Sequence, residues 1–144
     1  QQKSIKKHYY ALVEGETKLE QEGEIIAPIA RDVDSIITRR VHKSGRYAHT
    51  SYRLVGDYGR VKLVDINLHT GRTHQIRVHF AHLGLPLLGD DLYGGSLDYG
   101  IERQALHCHR LAFVDPFTKK EMVHESSLTD DFETVIMGLK TKKD

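Results

Sequence analysis

Two neighbouring stretches alternate apolar and polar residues with a period of two: residues 48–55 (AHTSYRLV) and residues 60–68 (RVKLVDINL). Only an extended strand sends successive side chains to opposite faces, so each stretch reads as a half-buried strand. The short segment between them runs from Gly56 to Gly59, and that spacing predicts an antiparallel hairpin. Residues 7–13 (KHYYALV) are β-favouring and stop at Gly15, and residues 24–29 read as a further strand. After residue 69 the period changes. A helix is expected from Thr70 or Thr73, either of which can cap it, to about Leu83, where Gly84 stops it and Pro86 bars continuation. Residues 89–95 (GDDLYGG) read as a loop, and residues 106–114 and 121–125 as a hairpin around Asp115-Pro116-Phe117-Thr118. Asp130 and Glu133 resemble a capping box opening a last helix to about Leu139. The expected class is α+β: a mainly antiparallel mixed β-sheet covered by a few helices.

The length of 144 residues suits one compact domain or a portion of a larger one. With 39% hydrophobic and 28% charged residues, the chain can build a core and lies outside the disordered regime. A net charge of +1 does not by itself announce nucleic acid, but the distribution is uneven. Residues 39–60 hold six Lys or Arg and one acid, whereas residues 14–24 hold five Glu and one Lys. The basic segment can meet phosphate, or it can be a solvated face. Cys108 stands alone, so no internal disulfide forms and a reducing, cytoplasmic location is expected. No run approaches the ~18 apolar residues of a membrane span, and no signal peptide is visible. The first residue is Gln1 rather than Met, so an upstream portion is expected to have been removed.

The chemistry concentrates in residues 70–79, TGRTHQIRVH. On a helical wheel Ile76, Phe80 and Leu83 share one face, and Arg72, Gln75, His79 and His82 form an adjacent polar face. Arg77 belongs to neither, because Phe80, Ala81 and Val78 flank it. A guanidinium among apolar neighbours is costly to bury unless a carboxylate pairs with it. Periodicity alone favours the blander outcome, an arginine that reaches water along its stem.

This stretch, followed by HLGLPLLGDDLYGG (residues 82–95), resembles the signature of the RluA-type pseudouridine synthases. KHYYALVEG resembles that family's Lys-x-Tyr-x-Ala strand, GEIIAPIAR its second strand region, and GRYAHTSYRLV its Ala-x-Thr-x-Tyr strand. QALHCHRLAFVDPFTKKE resembles its late hairpin. One such hit would say little, but five in order, covering nearly the whole chain, are specific.

The resemblance implies isomerisation of uridine to pseudouridine in ribosomal or transfer RNA, with no cofactor and no metal. It makes Arg77 the charge partner of a nucleophilic aspartate, a role its planar fork suits. It makes Tyr9 the residue that stacks on uracil and assists proton transfer. Ile76 and Leu106 would form an apolar wall. Arg72 and His74, near the helix start, would meet a phosphate or carboxylate. The family's aspartate lies in a His-Arg-Leu-Asp segment ahead of the Lys-x-Tyr strand, and nothing here corresponds: His109-Arg110-Leu111 is followed by Ala112. Residues 1–144 are therefore expected to be the C-terminal portion of a catalytic domain, inactive alone and monomeric when intact. With its aspartate missing, Arg77 should face solvent, an anion or a substitute acid of this chain. The rival readings are a non-catalytic RNA-binding module and a metal-binding or interaction domain. Ten histidines invite the latter, but no Cys pair or nearby acid completes a zinc pattern around His79 and His82 or His107 and His109. Tyr47, Tyr52 and Tyr58 can stack bases or simply pack.

Overall fold

The structure, a computed structural model, describes residues 5–33, 35 and 37–142. The elements run β1 (Ile5–Glu14), β2 (Glu22–Ile26), β3 (Ile29–Arg31), β4 (Arg39–Val41), β5 (His49–Asp57), β6 (Val61–Leu68), α1 (Gln75–His82), β7 (Leu106–Val114), β8 (Glu121–Glu125) and α2 (Asp130–Lys142). Six strands form one sheet in the order β2-β5-β6-β1-β7-β8, and β3 and β4 form a separate two-stranded ribbon. Every pairing between these strands is antiparallel. The α+β class follows.

The first strand is the central one. Odd-numbered β1 residues face α1: Ala11 and Val13 are buried with Val64, Ile66, Ile76 and Phe80. On the other face Leu12 is buried with Val61, Leu63, Phe132, Val135 and Ile136, so α2 covers that side. Period-two alternation thus feeds two cores from one strand.

The late hairpin occupies residues 106–114 and 121–125 as expected. Its turn is held by the Asp115 carboxylate, which accepts the N–H groups of Phe117 (2.8 Å) and Thr118 (3.3 Å). The β5–β6 hairpin also forms, with a bulge between Leu54 and Gly56. Three expectations are corrected. The strand placed at residues 24–29 is two strands, because the chain bends at Ala27 and Pro28 and passes from the sheet to the ribbon. The helix expected from Thr70 or Thr73 starts only at Gln75: Thr70 spends its hydroxyl on Gln75 Oε1 (2.7 Å), and the residue at the cap position is His74 in the left-handed conformation (φ 57°). The last helix starts at Asp130 but extends beyond Leu139, and the residue before it, Thr129, gives its carbonyl to the Glu133 N–H (3.1 Å).

Candidate active site

Helix α1 is enclosed on nearly every side, which explains the mixed pattern of its sequence. Ile76 and Phe80 face the sheet. Val78 packs with Ile29 and Ala48, against Val41 and Tyr93, and so seats the β3–β4 ribbon. Two of the four residues expected on a polar face are buried too, Gln75 at 3% and His79 at 0% exposed, whereas His82 is exposed and Arg72 half-buried. The buried two are satisfied by a network on Thr50. Gln75 Nε2 donates to Thr50 Oγ1 (2.8 Å) and to the His49 carbonyl (3.0 Å). The Thr50 hydroxyl then has its proton for His79 Nδ1 (2.9 Å), and His79 Nε2 donates to the Ala27 carbonyl (2.9 Å). This fixes His79 as the neutral Nε2–H form. Burial pushes its pKa down, in agreement.

Arg77 points away from this network, towards residues 89–95. Its Nε donates to Asp90 Oδ2 (3.0 Å) and its Nη2 to Asp90 Oδ1 (2.9 Å). The Arg77 side chain is 14% exposed and that of Asp90 2%. Of the three outcomes expected for Arg77, the structure gives the substitute acid, and the arginine does not snorkel. The guanidinium also lies over the Tyr93 ring, 5.1 Å from its centroid. The Tyr93 hydroxyl accepts the Arg39 N–H (2.9 Å) and lies 2.7 Å from His74 Nδ1, so its own proton goes to that nitrogen. The His74 pKa is lowered, first by burial and then by Arg77 and Arg39, which suits a neutral ring accepting at Nδ1.

Tyr9 and Leu106 pack against the cluster that contains Ile76. Across β1 and β7, Tyr9 pairs with Cys108 and Ala11 with Leu106. Burial, with a smaller contribution from Cys108, raises the Tyr9 pKa, so the phenol stays protonated and can donate.

A family model described as RNA pseudouridylate synthase matches residues 1–82. The chain is 42% identical over 134 residues to the Bacillus subtilis protein "Uncharacterized RNA pseudouridine synthase YjbO", covering 93% of this chain and 47% of that protein. It is 36% identical over 148 residues to "Ribosomal large subunit pseudouridine synthase D" of Nitrosomonas europaea, covering 97% and 42%. Its fold matches that of "Human RNA Pseudouridylate Synthase Domain Containing 4", with a TM-score of 0.73 at 20% identity, over 96% of this chain and 64% of that one.

The chain belongs to the RNA pseudouridylate synthase family. It spans about half the length of the curated relatives it matches.

Within this member of the family, the residues singled out in the sequence fall into three groups. Tyr9, Ile76 and Leu106 come together on one apolar wall. Arg77 and His74 come together through Tyr93. Arg72 stands apart, with Nε on the Tyr47 carbonyl (2.6 Å), and His74 makes no side-chain cap bond. Tyr52 packs edge-on against Phe80 (5.9 Å), whereas Tyr47 is 57% exposed. Among the described residues, no three His, Cys, Asp or Glu side chains converge as a metal site. Sequence reasoning missed Asp90 and Tyr93, because residues 89–95 read only as turns. The available signal was an acid placed directly after the apolar run LPLLG, where a buried arginine nearby would need it.

Proposed function

We propose that this chain is the C-terminal portion of the catalytic domain of an RNA pseudouridine synthase. Such an isomerase detaches uracil from C1′ of a uridine, turns it and rejoins it through C5, with the attacking aspartate supplied by the upstream portion. The observation that carries this is Arg77, a nearly buried arginine with part of its fork still unused. Asp90 takes the Nε–H and one Nη2–H. A guanidinium has five N–H donors, so both on Nη1 and the second on Nη2 remain for another carboxylate. The apolar cluster of Ile76, against which Tyr9 and Leu106 pack, offers the flipped base a face to stack on. Tyr9, kept protonated by burial, supplies a proton donor near C5. The chemistry needs only a carboxylate nucleophile and proton transfers, so it proceeds without cofactor or metal.

RNA affinity comes from phosphate contacts, and the exposed Arg40, Lys43 and Arg46 lie on or beside the ribbon that Val78 seats against α1. Relatives named for the ribosomal large subunit make its RNA the first substrate to test, with transfer RNA the alternative. The enzyme acts as a monomer in the cytoplasm.

The test uses the full-length protein and RNA carrying tritium at uridine C5. Rejoining through C5 expels that hydrogen, so turnover releases tritium to water. Release is expected from large-subunit RNA, and none from the 144-residue chain alone. RNA binding without release from any transcript would make the protein a binding module instead. Replacing Arg40 and Lys43 together should flatten the slope of log affinity against log salt by about 2, with little change in the chemical step.

A further inference from the structure

We propose that Asp90 and Tyr93 are positioning residues that aim Arg77, holding the Nε side of its guanidinium so that the terminal edge faces the attacking carboxylate. This rests on the function proposed above and assigns a purpose to residues 89–95, which that function left as mere turns.

The loop is built without slack. The Asp90 N–H bonds to the Leu87 carbonyl (3.2 Å), and its own carbonyl accepts the N–H groups of Tyr93 (3.1 Å) and Gly95 (2.8 Å). Gly89 has φ +74°, and a Cβ there would sit 2.1 Å from the Arg103 carbonyl oxygen. A Cβ on Gly95 would sit 1.9 Å from the Leu87 carbonyl oxygen. Only glycine permits either approach, so the backbone carrying Asp90 is fixed from both sides.

That rigidity passes to the arginine. Both Asp90 oxygens bond in the side-on mode, which fixes the guanidinium plane as well as its position. The Tyr93 ring lies against that plane, and the ring cannot turn because its hydroxyl is held between the Arg39 N–H and His74 Nδ1. The side-on mode consumes one of the two bidentate edges of a guanidinium and leaves the end-on edge, Nη1 with Nη2, intact. A second carboxylate arriving there meets a cation whose orientation is already settled. Little rotational freedom is then lost as the reaction begins, and the aspartate is held in line. An ion pair serving the fold alone has no need to keep that edge available.

The measurement is the single-turnover rate of tritium release by the full-length protein at saturating enzyme, alongside RNA affinity. Asp90→Asn keeps the shape but loses the second acceptor and the charge. The rate should fall on the order of 10²-fold while affinity stays within about twofold. Introduced into an Arg77→Lys background, where the fork is already gone, it should cost less than about threefold more. A merely structural role would make the two losses multiply, and that result overturns the proposal. Should Asp90→Asn fail to fold, Tyr93→Phe carries the test: it keeps the ring but releases His74 and the Arg39 N–H. It should slow the step by about tenfold, and add almost nothing in the Arg77→Lys background. A wild-type protein that releases no tritium overturns the proposed function and the positioning role with it. A wild type that turns over while both variants keep its rate overturns the positioning role alone.

Discussion

Arg77 and Arg53 each meet an aspartate, one on each face of the sheet, under different conditions. The Arg77–Asp90 pair makes two bonds, with side chains 14% and 2% exposed. The Arg53–Asp65 pair makes one bond of 3.3 Å, with side chains 55% and 17% exposed. Arg53 and Asp65 line an open polar cavity of about 440 Å³ with His8, Glu24 and Asn67. Asp65 also takes a bond from His109 Nε2 (2.8 Å), and Tyr10 stacks on that imidazole at 3.8 Å. The chemical types match, but Arg53 is largely exposed and water competes for its guanidinium. Beside α1 the polar groups are buried or nearly so and bond to fixed protein partners, and an orientation once set is kept. The difference between the faces is therefore one of geometric commitment rather than charge, and the function proposed above uses the committed side.

The widest contrast should come from the two carboxylates. Asp90→Ala strands a nearly buried guanidinium, which costs roughly 3–5 kcal/mol, towards the lower end because Arg77 keeps some exposure. Asp65→Ala should cost about 1–2 kcal/mol, mostly the lost acceptor of His109. Equal costs in denaturant unfolding would erase the distinction drawn here. Next comes Gln75→Ala, which leaves Thr70, Arg72 N–H and the His49 carbonyl without their shared partner and should cost about 1–3 kcal/mol.

A pH effect sharpens the comparison further. Burial lowers the pKa of His79 and His74 below the ordinary 6.5. Their unfolded forms therefore bind protons first, so stability is fully present above about pH 6.5 and is lost as pH falls below it. Unfolding curves between pH 7.5 and 5.5 should show this, and His79→Gln should flatten the dependence. The smallest effect belongs to Arg53→Ala, at about 0–1 kcal/mol and weaker still in high salt. A loss as large as that of Gln75→Ala would mean that the open face is as constrained as the buried one.

How much of this was legible depends on where each partner lies in the chain. The β7–β8 hairpin could be read to its boundaries because alternation and an Asp-Pro turn are local signals. The start of α1 could not, since no side chain caps it: Thr70 gives its hydroxyl to Gln75, and left-handed His74 occupies the cap position. Gln75 and His79 looked solvated because their partners, Thr50 and the Ala27 carbonyl, arrive from other strands. The β3–β4 ribbon went unread because strands of three residues carry no measurable period. The need of Arg77 for an acid was visible from its apolar neighbours, yet the resemblance directed attention to an aspartate outside the chain and away from Asp90, 13 residues further along. Tyr9, Ile76 and Leu106 were named through resemblance alone; the register of β1 with β7 brings Tyr9 and Leu106 close, and α1 lays Ile76 on the cluster they pack against.

The central place of β1 also governs the order in which this molecule can assemble. Ala11 pairs with Val64 on one side and Leu106 on the other, so β1, made before both of its neighbours, waits for the β5–β6 hairpin and then for β7. Such distant closures slow folding, because chain entropy is lost before the contacts reward it. Until β7 arrives, the edge of β1 that it will occupy is an open template, flanked by the apolar side chains of Leu12 and Val13. The β5–β6 hairpin, joined by a tight turn, is the piece able to form unaided, and refolding followed by pulsed hydrogen exchange should find β5 and β6 protected before β1 and β7.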